Sequence, residues 1–344
     1  MPSFLIEGRH PLQGEVTPSG NKNAALPLLT ACLLTDEAVT LHNVPSIGDV
    51  STMRLLLESL GLKIELLGPN SWRLQAQQVR LADLDPDLCR SIRASILLAG
   101  PMLARTRSID MPPPGGDVIG RRRVDTHLLA LQALGAEVEY QDREIKLSTP
   151  GRLQGTEVLL DEASVTATEN TIMAAVTAAG NTVVRNAASE PHVQDLCNFL
   201  NTLGAKIENI GSNTLLIHGV DRLHGGEFTI GPDYLEVASF IGAAIVTGGE
   251  VTIRKAAPQH LSMARLVLGR LGVHWDVVGE DIFVPAEQDL TIEQDVGGGL
   301  ALTLAALAAK GTSHIRNISQ IERGYERIDD KLRSLGGHIH RLED

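Results

Sequence analysis

One sequence pattern recurs five times along this chain, and it limits the possible folds more than any other feature. Each copy has an apolar helix rich in small residues, a β-branched strand, a second helix that ends in Leu-Gly, and a closing strand. Glycine adopts the left-handed conformation that ends a helix without a Cβ clash, so each Leu-Gly pair predicts a helix end. The pairs, roughly 64 to 74 residues apart, are Leu60-Gly61, Leu134-Gly135, Leu203-Gly204, Leu271-Gly272 and Leu335-Gly336.

The two kinds of helix are expected to occupy different layers. The first kind is apolar nearly all round, which is typical of a buried helix, whereas the second kind carries charged side chains and should be external. The predicted internal helices cover 24–34, 95–103, 172–179, 238–246 and 300–309, and the strands that follow them cover 39–44, 107–112, 182–187, 251–256 and 313–318. By itself the repeat is equally compatible with a generic α+β protein formed by duplication, with no implied chemistry.

Composition narrows the class of protein. The 344 residues, 43% of them hydrophobic, suffice for two cores, so two domains are expected. The sequence has no apolar run long enough to span a membrane and no signal-peptide pattern, which predicts a cytoplasmic protein. Three scattered cysteines and eleven histidines without ligand spacing predict neither a disulfide framework nor a metal site. The net charge of -12 argues against nucleic-acid binding.

Basic residues nevertheless stand where several helices are expected to begin. A cation at a helix start is disfavoured by the helix dipole, and a bound anion would remove that conflict. For any single residue, a solvated cation or a partner of a nearby carboxylate is the simpler interpretation. Taken together, the basic helix starts predict a pocket for an anionic small molecule. They are Lys22, Arg90, Arg93, the 121–123 run and Arg323.

The segment 112–127 is the most informative stretch of the sequence. Three prolines stiffen a loop whose glycines, among them Gly115 and Gly116, permit close backbone approach to a ligand. Asp117 lies at the tip of this loop, next to arginines that would lower its pKa until a phosphate-bearing substrate is bound. Asp117 is therefore a candidate general acid, with a turn-stabilising aspartate as the alternative interpretation.

Five segments resemble the UDP-N-acetylglucosamine 1-carboxyvinyltransferases of the enolpyruvyl transferase (EPSP synthase-like) superfamily. They read GEVTPSGNKNAALPLL, RSIRASILLAGPMLAR, PPPGGDVIGRRRVDTHLLALQALGA, ASVTATENTIMAAV and ERGYERIDDKLRSLG, and the resemblance covers nearly the whole chain. It implies transfer of enolpyruvyl from phosphoenolpyruvate to the 3-hydroxyl of UDP-N-acetylglucosamine, with release of phosphate, in peptidoglycan synthesis. It implies no cofactor, these two substrates as the partners, and neither nucleic acid nor membrane.

The resemblance also implies an architecture. The family fold is a two-domain inside-out α/β barrel built from six β-α-β-α-β-β units, with the active site between the domains. This α/β (α+β) chain has five such units. We expect a complete three-repeat domain over 22–228 that carries the Asp117 loop, and a shortened two-repeat domain formed by 1–21 and 229–344. The sequence does not determine the oligomeric state, and a monomer is the expectation.

Site residues follow from the matching motifs. The resemblance gives catalytic roles to Asp117, Lys22 and Arg323, and Asp295 is a candidate for the base. Asp117 stands where most members have a cysteine that fosfomycin alkylates, which implies resistance to that drug. The residues implied to bind substrate are Asn23, Arg93, Arg122, Val124, Asp125, His127, Ser164, Val165 and Thr166.

The sequence departs from the family pattern at positions that matter for the site. One unit is missing between Leu271 and Leu335, where the family has its proposed base and two arginines that bind the carboxylate of phosphoenolpyruvate. Asp295 is one candidate for that base, and Gly297 falls where one arginine would stand in the second possible alignment. Thr166 replaces a usual glycine, and Tyr234 replaces a usual arginine.

Three hypotheses follow from these observations. The first is an active carboxyvinyltransferase or a variant with a different acceptor. The second is a catalytically impaired homologue that binds a UDP-sugar as a sensor or a partner protein, which the missing unit favours. The third is an enzyme similar to the RNA 3′-phosphate cyclases, which the acidic charge and the absence of a nucleotidyl-histidine motif disfavour.

Overall fold

The chain divides into two compact units. The structure, a computed structural model, describes residues 3–342 apart from 9, 82–83, 117–122, 142–143, 270–271, 289–306, 308–311, 317 and 323. Unit 1 comprises Met1–Asn21 and Pro232–Asp344, and unit 2 comprises Lys22–Gly231. Each unit has its own hydrophobic core.

Helices and short strands alternate along the described chain. The strands are β1 Ser3–Glu7, β2 Gln13–Val16, β3 Val39–His42, β4 Lys63–Gly68, β5 Ser71–Gln75, β6 Ser108–Met111, β7 Glu137–Gln141, β8 Glu144–Ser148, β9 Glu157–Leu159, β10 Asn181–Arg185, β11 Lys206–Glu208, β12 Thr214–His218, β13 Gly226–Thr229, β14 Glu250–Ile253, β15 Asp276–Val278, β16 Asp281–Val284, β17 Thr312–Arg316 and β18 His338–Leu342. The α-helices are α1 Lys22–Ala31, α2 Gly48–Ser59, α3 Pro86–Ser91, α4 Ala99–Thr106, α5 Asp125–Ala133, α6 Val165–Ala175, α7 Pro191–Thr202, α8 Tyr234–Thr247, α9 Ser262–Gly269, α10 Ser319–Glu322 and α11 Ile328–Ser334. Short 3₁₀ helices cover Cys32–Leu34, Arg93–Leu98 and Pro258–Leu261.

The predicted helix ends are confirmed by the backbone. All five glycines of the Leu-Gly pairs have positive φ, and their values lie between 81° and 97°. They directly follow or lie close behind α2, α5, α7, α9 and α11, which are the second helices of the repeat. A residue with a Cβ would be strained in this conformation, so glycine is required where the chain turns from the helix into the next strand.

Four of the five sheets of the described residues share one strand arrangement. These four are β3-β5-β4, β6-β8-β7, β10-β12-β11 and β14-β16-β15. In each, the central strand comes last of the three in the chain, and it pairs antiparallel with both of the strands that precede it. Three of these sheets gain a further parallel strand on the first one, namely β13, β9 and β2. All five sheets are open, and the fold is a mixed α/β fold.

The fifth sheet joins the two ends of the chain. Its order is β17-β1-β18, so the N-terminal strand takes the central place that a third strand has in the other sheets. The strand β1 is antiparallel to both neighbours, with Phe4 opposite Ile315 and Ile6 opposite Ile339. Phe4 and Ile6 are almost fully buried in the core of unit 1. The first strand of the described chain therefore pairs with its last two strands in one sheet.

The internal helices of unit 2 are buried, as predicted, but α6 begins and ends before the predicted 172–179. Nearly all residues of α1 and α6 and the first five residues of α4 are buried. These helices pack against one another or against the 3₁₀ helix Arg93–Leu98. Small residues permit this proximity: a Cβ added to Gly100 in α4 would lie 2.5 Å from the backbone oxygen of Asn170 in α6.

The corresponding helix of unit 1 differs from the prediction. We expected an internal helix over 238–246, yet α8 leaves Leu235 48% and Val246 43% exposed. Its other side carries Val237, Phe240 and Ile241, which are buried in the core of unit 1. The prediction of an all-buried helix is wrong here because no other described element covers that side.

Two further features bear on the class of protein. Within the described part of the chain, no helix is both long and apolar enough to cross a membrane. Cys32, Cys89 and Cys197 are buried as free thiols. Burial raises the pKa of Cys89 to about 11 and that of Cys197 to about 12, so neither thiol is ionised at neutral pH.

Replacement of Gly100 by alanine tests the close packing of α4 on α6. The added methyl group would meet the Asn170 backbone, which cannot move without shifting α6. We expect urea unfolding to show a loss of about 1–3 kcal/mol in the free energy of unfolding. Gly48→Ala is the matched control, because Gly48 has no atom within 4 Å of an added Cβ. Equal effects of the two substitutions would contradict the packing described here.

Candidate functional site

His127 is the centre of a buried polar cluster in unit 2. It lies in the first turn of α5, where its ring is almost completely buried. Its Nε2 is 3.0 Å from Thr166 Oγ1 at the start of α6, and its Nδ1 is 2.9 Å from Asn170 Nδ2 one turn further along that helix. The predicted residues His127 and Thr166 therefore meet where α5 and α6 begin, and Asn170 joins them one turn into α6.

Asn170 determines which tautomer His127 adopts. The Gly100 N–H donates to Asn170 Oδ1 at 2.9 Å, and Asn170 Nδ2 donates to the Ile96 carbonyl at 2.8 Å. These two backbone groups fix the orientation of the amide, so its second N–H points at His127 Nδ1. The imidazole must accept at Nδ1, and its proton lies on Nε2, from which it donates to Thr166.

The electrostatic environment keeps His127 neutral. Burial, with a smaller contribution from the positive charge of Arg93, lowers the pKa of His127 to about 3. At neutral pH the ring is therefore a hydrogen-bonding group of fixed orientation and carries no charge. The positive charge close to His127 is that of Arg93, whose Nη2 donates to the Arg123 carbonyl at 2.7 Å.

Arg93 begins the 3₁₀ helix Arg93–Leu98, and the glycine loop packs against the residues before it. The N–H groups of Gly115 and Gly116 donate to the carbonyls of Cys89 and Arg90 at 3.1 and 3.0 Å. A Cβ on Gly115 would lie 1.7 Å from the Arg90 oxygen. Within the described residues, these glycines permit close approach to the protein backbone, whereas the sequence analysis assigned the approach to a ligand.

The start of α6 combines a helix cap with an unusual run of buried polar side chains. Ser164 is the N-cap, and its Oγ accepts from the Ala167 N–H at 3.4 Å. Thr168, Glu169, Asn170 and Thr171 are all fully buried or nearly so. Burial raises the pKa of Glu169 well above its usual range, which favours the neutral form of this carboxyl. The N-terminal turn of α6 therefore presents N–H groups; Asp161 and Glu162 precede it in the chain, and Arg93 supplies a positive charge close to His127.

The two predicted residues at the start of α1 lie in the same unit. Lys22 Nζ contacts Asp49 Oδ2 at 3.2 Å, in a pair whose side chains are 24% and 14% exposed. Asp49 is in the first turn of α2, so this carboxylate supplies a negative charge that the sequence analysis assigned to a ligand. Asn23 follows Lys22 and is half-buried. The helix α1 packs against α2 and against the 3₁₀ helix that begins with Arg93.

Of the remaining predicted residues, some lie at the starts of helices and the others lie outside the described part of the chain. Val124 is the N-cap of α5, and the exposed Asp125 lies 3.8 Å from Arg123 Nε. Val165 is the first residue of α6, and Tyr234 is the first residue of α8, directly after the capping Asp233. Four predicted residues lie outside the described part of the chain, namely Asp117, Arg122, Arg323 and Asp295, as does Gly297.

Sequence reasoning missed the residues that hold this cluster together. Asn170 lies within the segment ASVTATENTIMAAV, but it is not among the residues that the sequence predicts for the site. Thr126 was also missed; its hydroxyl donates to Asp161 Oδ1 at 2.6 Å and connects the start of α5 to the segment before α6. A sequence signal was available for Asn170, because the run 168–171 puts four polar residues inside a helix with the composition of a core element.

The pH dependence of stability tests the buried neutral state of His127. Its pKa is about 3 in the folded protein and about 6.5 in the unfolded chain, so its contribution is complete above pH 6.5 and decreases toward pH 3. We expect the wild type to lose on the order of 1–2 kcal/mol more than His127→Gln between about pH 7.5 and pH 5 in urea unfolding. The exposed His224 provides the control variant, His224→Gln. Identical pH slopes for the wild type and His127→Gln would contradict the assignment.

Comparisons with known proteins identify the relatives of this chain. A UDP-N-acetylglucosamine 1-carboxyvinyltransferase of Bradyrhizobium diazoefficiens is 43% identical, with 99% of this chain and 98% of that protein covered. A protein of the same name from Treponema denticola is 39% identical, with both chains fully covered.

Solved structures show the same fold, and a family profile matches the chain. The enolpyruvyl transferase NikO from Streptomyces tendae superposes with a TM-score of 0.86 over 99% of both chains, at 20% identity. An EPSP synthase from Acinetobacter baumannii superposes with a TM-score of 0.79 over the whole of both chains, at 14% identity. The profile of EPSP synthase (3-phosphoshikimate 1-carboxyvinyltransferase) matches residues 6–344. The chain therefore belongs to the EPSP synthase family.

Proposed function

We propose that this protein transfers the enolpyruvyl group of phosphoenolpyruvate to the 3-hydroxyl of UDP-N-acetylglucosamine and releases phosphate. The relatives at 37–43% identity over the full chain carry the name of that transferase. One structural observation carries the proposal: Arg93, the neutral His127 and the capped start of α6 are held together by the fully paired Asn170. Such an arrangement suits a diphosphate group, because it combines a cation with helix N–H donors.

Residue roles follow from this arrangement. Arg93, together with Arg122, would bind the diphosphate and the phosphate of phosphoenolpyruvate. Ser164, Val165 and Thr166 would line the diphosphate at the start of α6. Val124, Asp125 and His127 would contact the uridine end, next to the first turn of α5. Asn23 would bind the sugar nucleotide beside Lys22. Thr166 stands where the family usually has glycine, and its hydroxyl accepts a hydrogen bond from His127 Nε2. This departure from the family pattern therefore links the start of α6 to α5.

The proposed reaction proceeds by addition and elimination. The sugar 3-hydroxyl oxygen bonds to C2 of phosphoenolpyruvate, and a proton adds to its C3 methylene, which gives a tetrahedral intermediate. A proton then leaves C3 as the bond between C2 and the phosphate oxygen breaks, so an enol ether and inorganic phosphate result. Cations around the phosphate stabilise the negative charge that develops on it, and no cofactor takes part.

Four residues are proposed to carry the chemistry. Asp117 is proposed as the general acid that delivers the proton to C3, and Asp295 as the base that accepts the hydroxyl proton. Lys22 and Arg323 are proposed to stabilise the charge on the phosphate. The ion pair with Asp49 restricts the position of the Lys22 ammonium group before the substrate arrives.

We further propose that the chain has lost about one repeat unit from unit 1. The alignment with the Treponema denticola relative extends over 427 positions, 83 more than the 344 residues of this chain. In the described residues, unit 1 has two sheets and unit 2 has three. The exposed side of α8 in unit 1 also supports this interpretation. Each unit would then be an inside-out α/β barrel of three or two repeats.

The proposed activity would supply a precursor for peptidoglycan, and so contribute to cell-wall biogenesis, cell shape and cell division. A cytoplasmic location and a monomeric state remain predictions that fit this role. Its substrates would be the two small molecules alone. A homologue that only binds the sugar nucleotide is the alternative function, and it predicts binding without turnover.

Phosphate release in the presence of phosphoenolpyruvate and UDP-N-acetylglucosamine tests the proposal directly. We expect the wild type to release phosphate only when both substrates are present. Asp117→Asn should lower kcat by about 10²–10⁴-fold because it removes a proton donor. Lys22→Ala should lower it by about 10²-fold because it removes a charge next to the phosphate. The exposed Lys63 gives the control Lys63→Ala, which should retain full activity.

Calorimetry separates the two candidate functions. Sugar-nucleotide binding with no phosphate release from the wild type would favour the binding homologue and contradict the transferase. No release with any UDP-sugar and no binding would contradict both. Circular dichroism of each variant checks that the loss of activity does not result from unfolding.

A further inference from the structure

The sheet that joins the two chain ends carries a cluster of potential metal ligands. Glu7 is the last residue of β1, and it stands directly opposite His338, the first residue of β18. Both side chains lie on the face of the sheet away from Phe4 and Ile6, and each is about half exposed. His338 Nδ1 is 3.5 Å from Glu7 Oε2.

His10 adds a third donor from the segment that follows β1. Its ring is stacked on that of His338, with 3.6 Å between the centroids and 5° between the planes. One ligand atom from each of His10, His338 and Glu7 lies within 4.8 Å of the other two.

We propose that Glu7, His10 and His338 form a binding site for a divalent transition-metal ion of the Zn²⁺ class. Two imidazoles and one carboxylate are ligands that Zn²⁺ uses in proteins, with water at the fourth position. Bonds of about 2.0–2.2 Å require the three donor atoms to converge, and the exposed side chains of Glu7 and His338 can rotate toward the half-buried His10 to do so. Hard ions such as Mg²⁺ prefer an all-oxygen shell and should bind poorly here.

The other histidine–carboxylate pairs show why the third donor matters. His42 lies 2.6 Å from Glu227 and His218 lies 3.2 Å from Glu208, both on exposed sheet surfaces. Each is a contact of one imidazole with one carboxylate. Among the residues that the structure describes, the cluster of Glu7, His10 and His338 is the one group with three donors.

The position of the ion determines what it would do. It would connect β1 and the segment after β1 to β18, which lies more than 300 residues later in the chain. A link between such distant residues restricts the unfolded chain strongly, so binding would stabilise unit 1 against separation of the N-terminal strand. The sequence alone predicts no metal site, because these three residues are far apart in it and are adjacent only in the folded sheet.

Calorimetric titration of the chelator-treated full-length protein with Zn²⁺ tests this proposal. We expect one high-affinity ion per chain, a higher Tm when Zn²⁺ is added, and no such rise with Mg²⁺. His10→Gln and His338→Gln should each weaken Zn²⁺ binding roughly tenfold or more. The control His42→Gln removes a histidine from an exposed ion pair and should leave the affinity unchanged.

Cobalt substitution gives a second readout that does not depend on stability. Co²⁺ in a tetrahedral site absorbs visible light more strongly than hydrated Co²⁺, and the absorption should be lost in Glu7→Gln, which keeps both rings. The proposal is overturned if Zn²⁺ does not bind the wild type, or if both histidine variants bind it as tightly as the wild type does. Neither result would bear on phosphate release, because no residue of the cluster is among those proposed for catalysis.

Discussion

The side chain of Asn170 is the constraint on which the candidate site depends. It is fully buried, and it satisfies one backbone donor, one backbone acceptor and one imidazole nitrogen. Such a group is costly to leave unpaired in the interior, so all its partners must remain in position while unit 2 is folded. Those partners belong to α4, to α5 and to the 3₁₀ helix that begins with Arg93. One amide therefore relates the elements that carry Arg93, His127 and Thr166.

Much of the fold could be predicted from local sequence rules. The positive φ of Gly61, Gly135 and Gly204 follows from the requirement for a left-handed residue at a helix end. The predicted internal helices of unit 2 are buried because apolar and small residues predominate in them, although α6 also buries the polar run 168–171. The exposed side of α8 could not be predicted in this way, since burial depends on what packs against a helix as well as on its own composition.

The site was predictable only in part. Lys22 and Arg93 were identified from charge at helix starts, and the structure adds the protein partners that composition does not reveal, such as Asp49 for Lys22. Asn170 and the group of Glu7, His10 and His338 were missed because their significance comes from residues distant in sequence. Asp117 and Arg323 lie outside the described residues, and their roles rest on the resemblance of their motifs.

Family membership and the polar cluster of unit 2 support each other. The relatives share the name of a transferase whose substrate has a diphosphate, and the described residues bring a cation to a capped helix start. The neutral state of His127 is important for this arrangement, because a charged ring would no longer accept a hydrogen bond from Asn170. The protonation and tautomer of this ring therefore report whether the cluster exists in solution.

Nitrogen NMR of protein labelled at histidine measures that state most directly. The account predicts that His127 is neutral down to about pH 5, with the proton on Nε2 and a hydrogen-bonded, unprotonated Nδ1. Replacement of Asn170 by alanine identifies the signal, because it should change the Nδ1 resonance of His127 alone. A ring that is protonated at about pH 6, or one that carries its proton on Nδ1, would contradict the central claim.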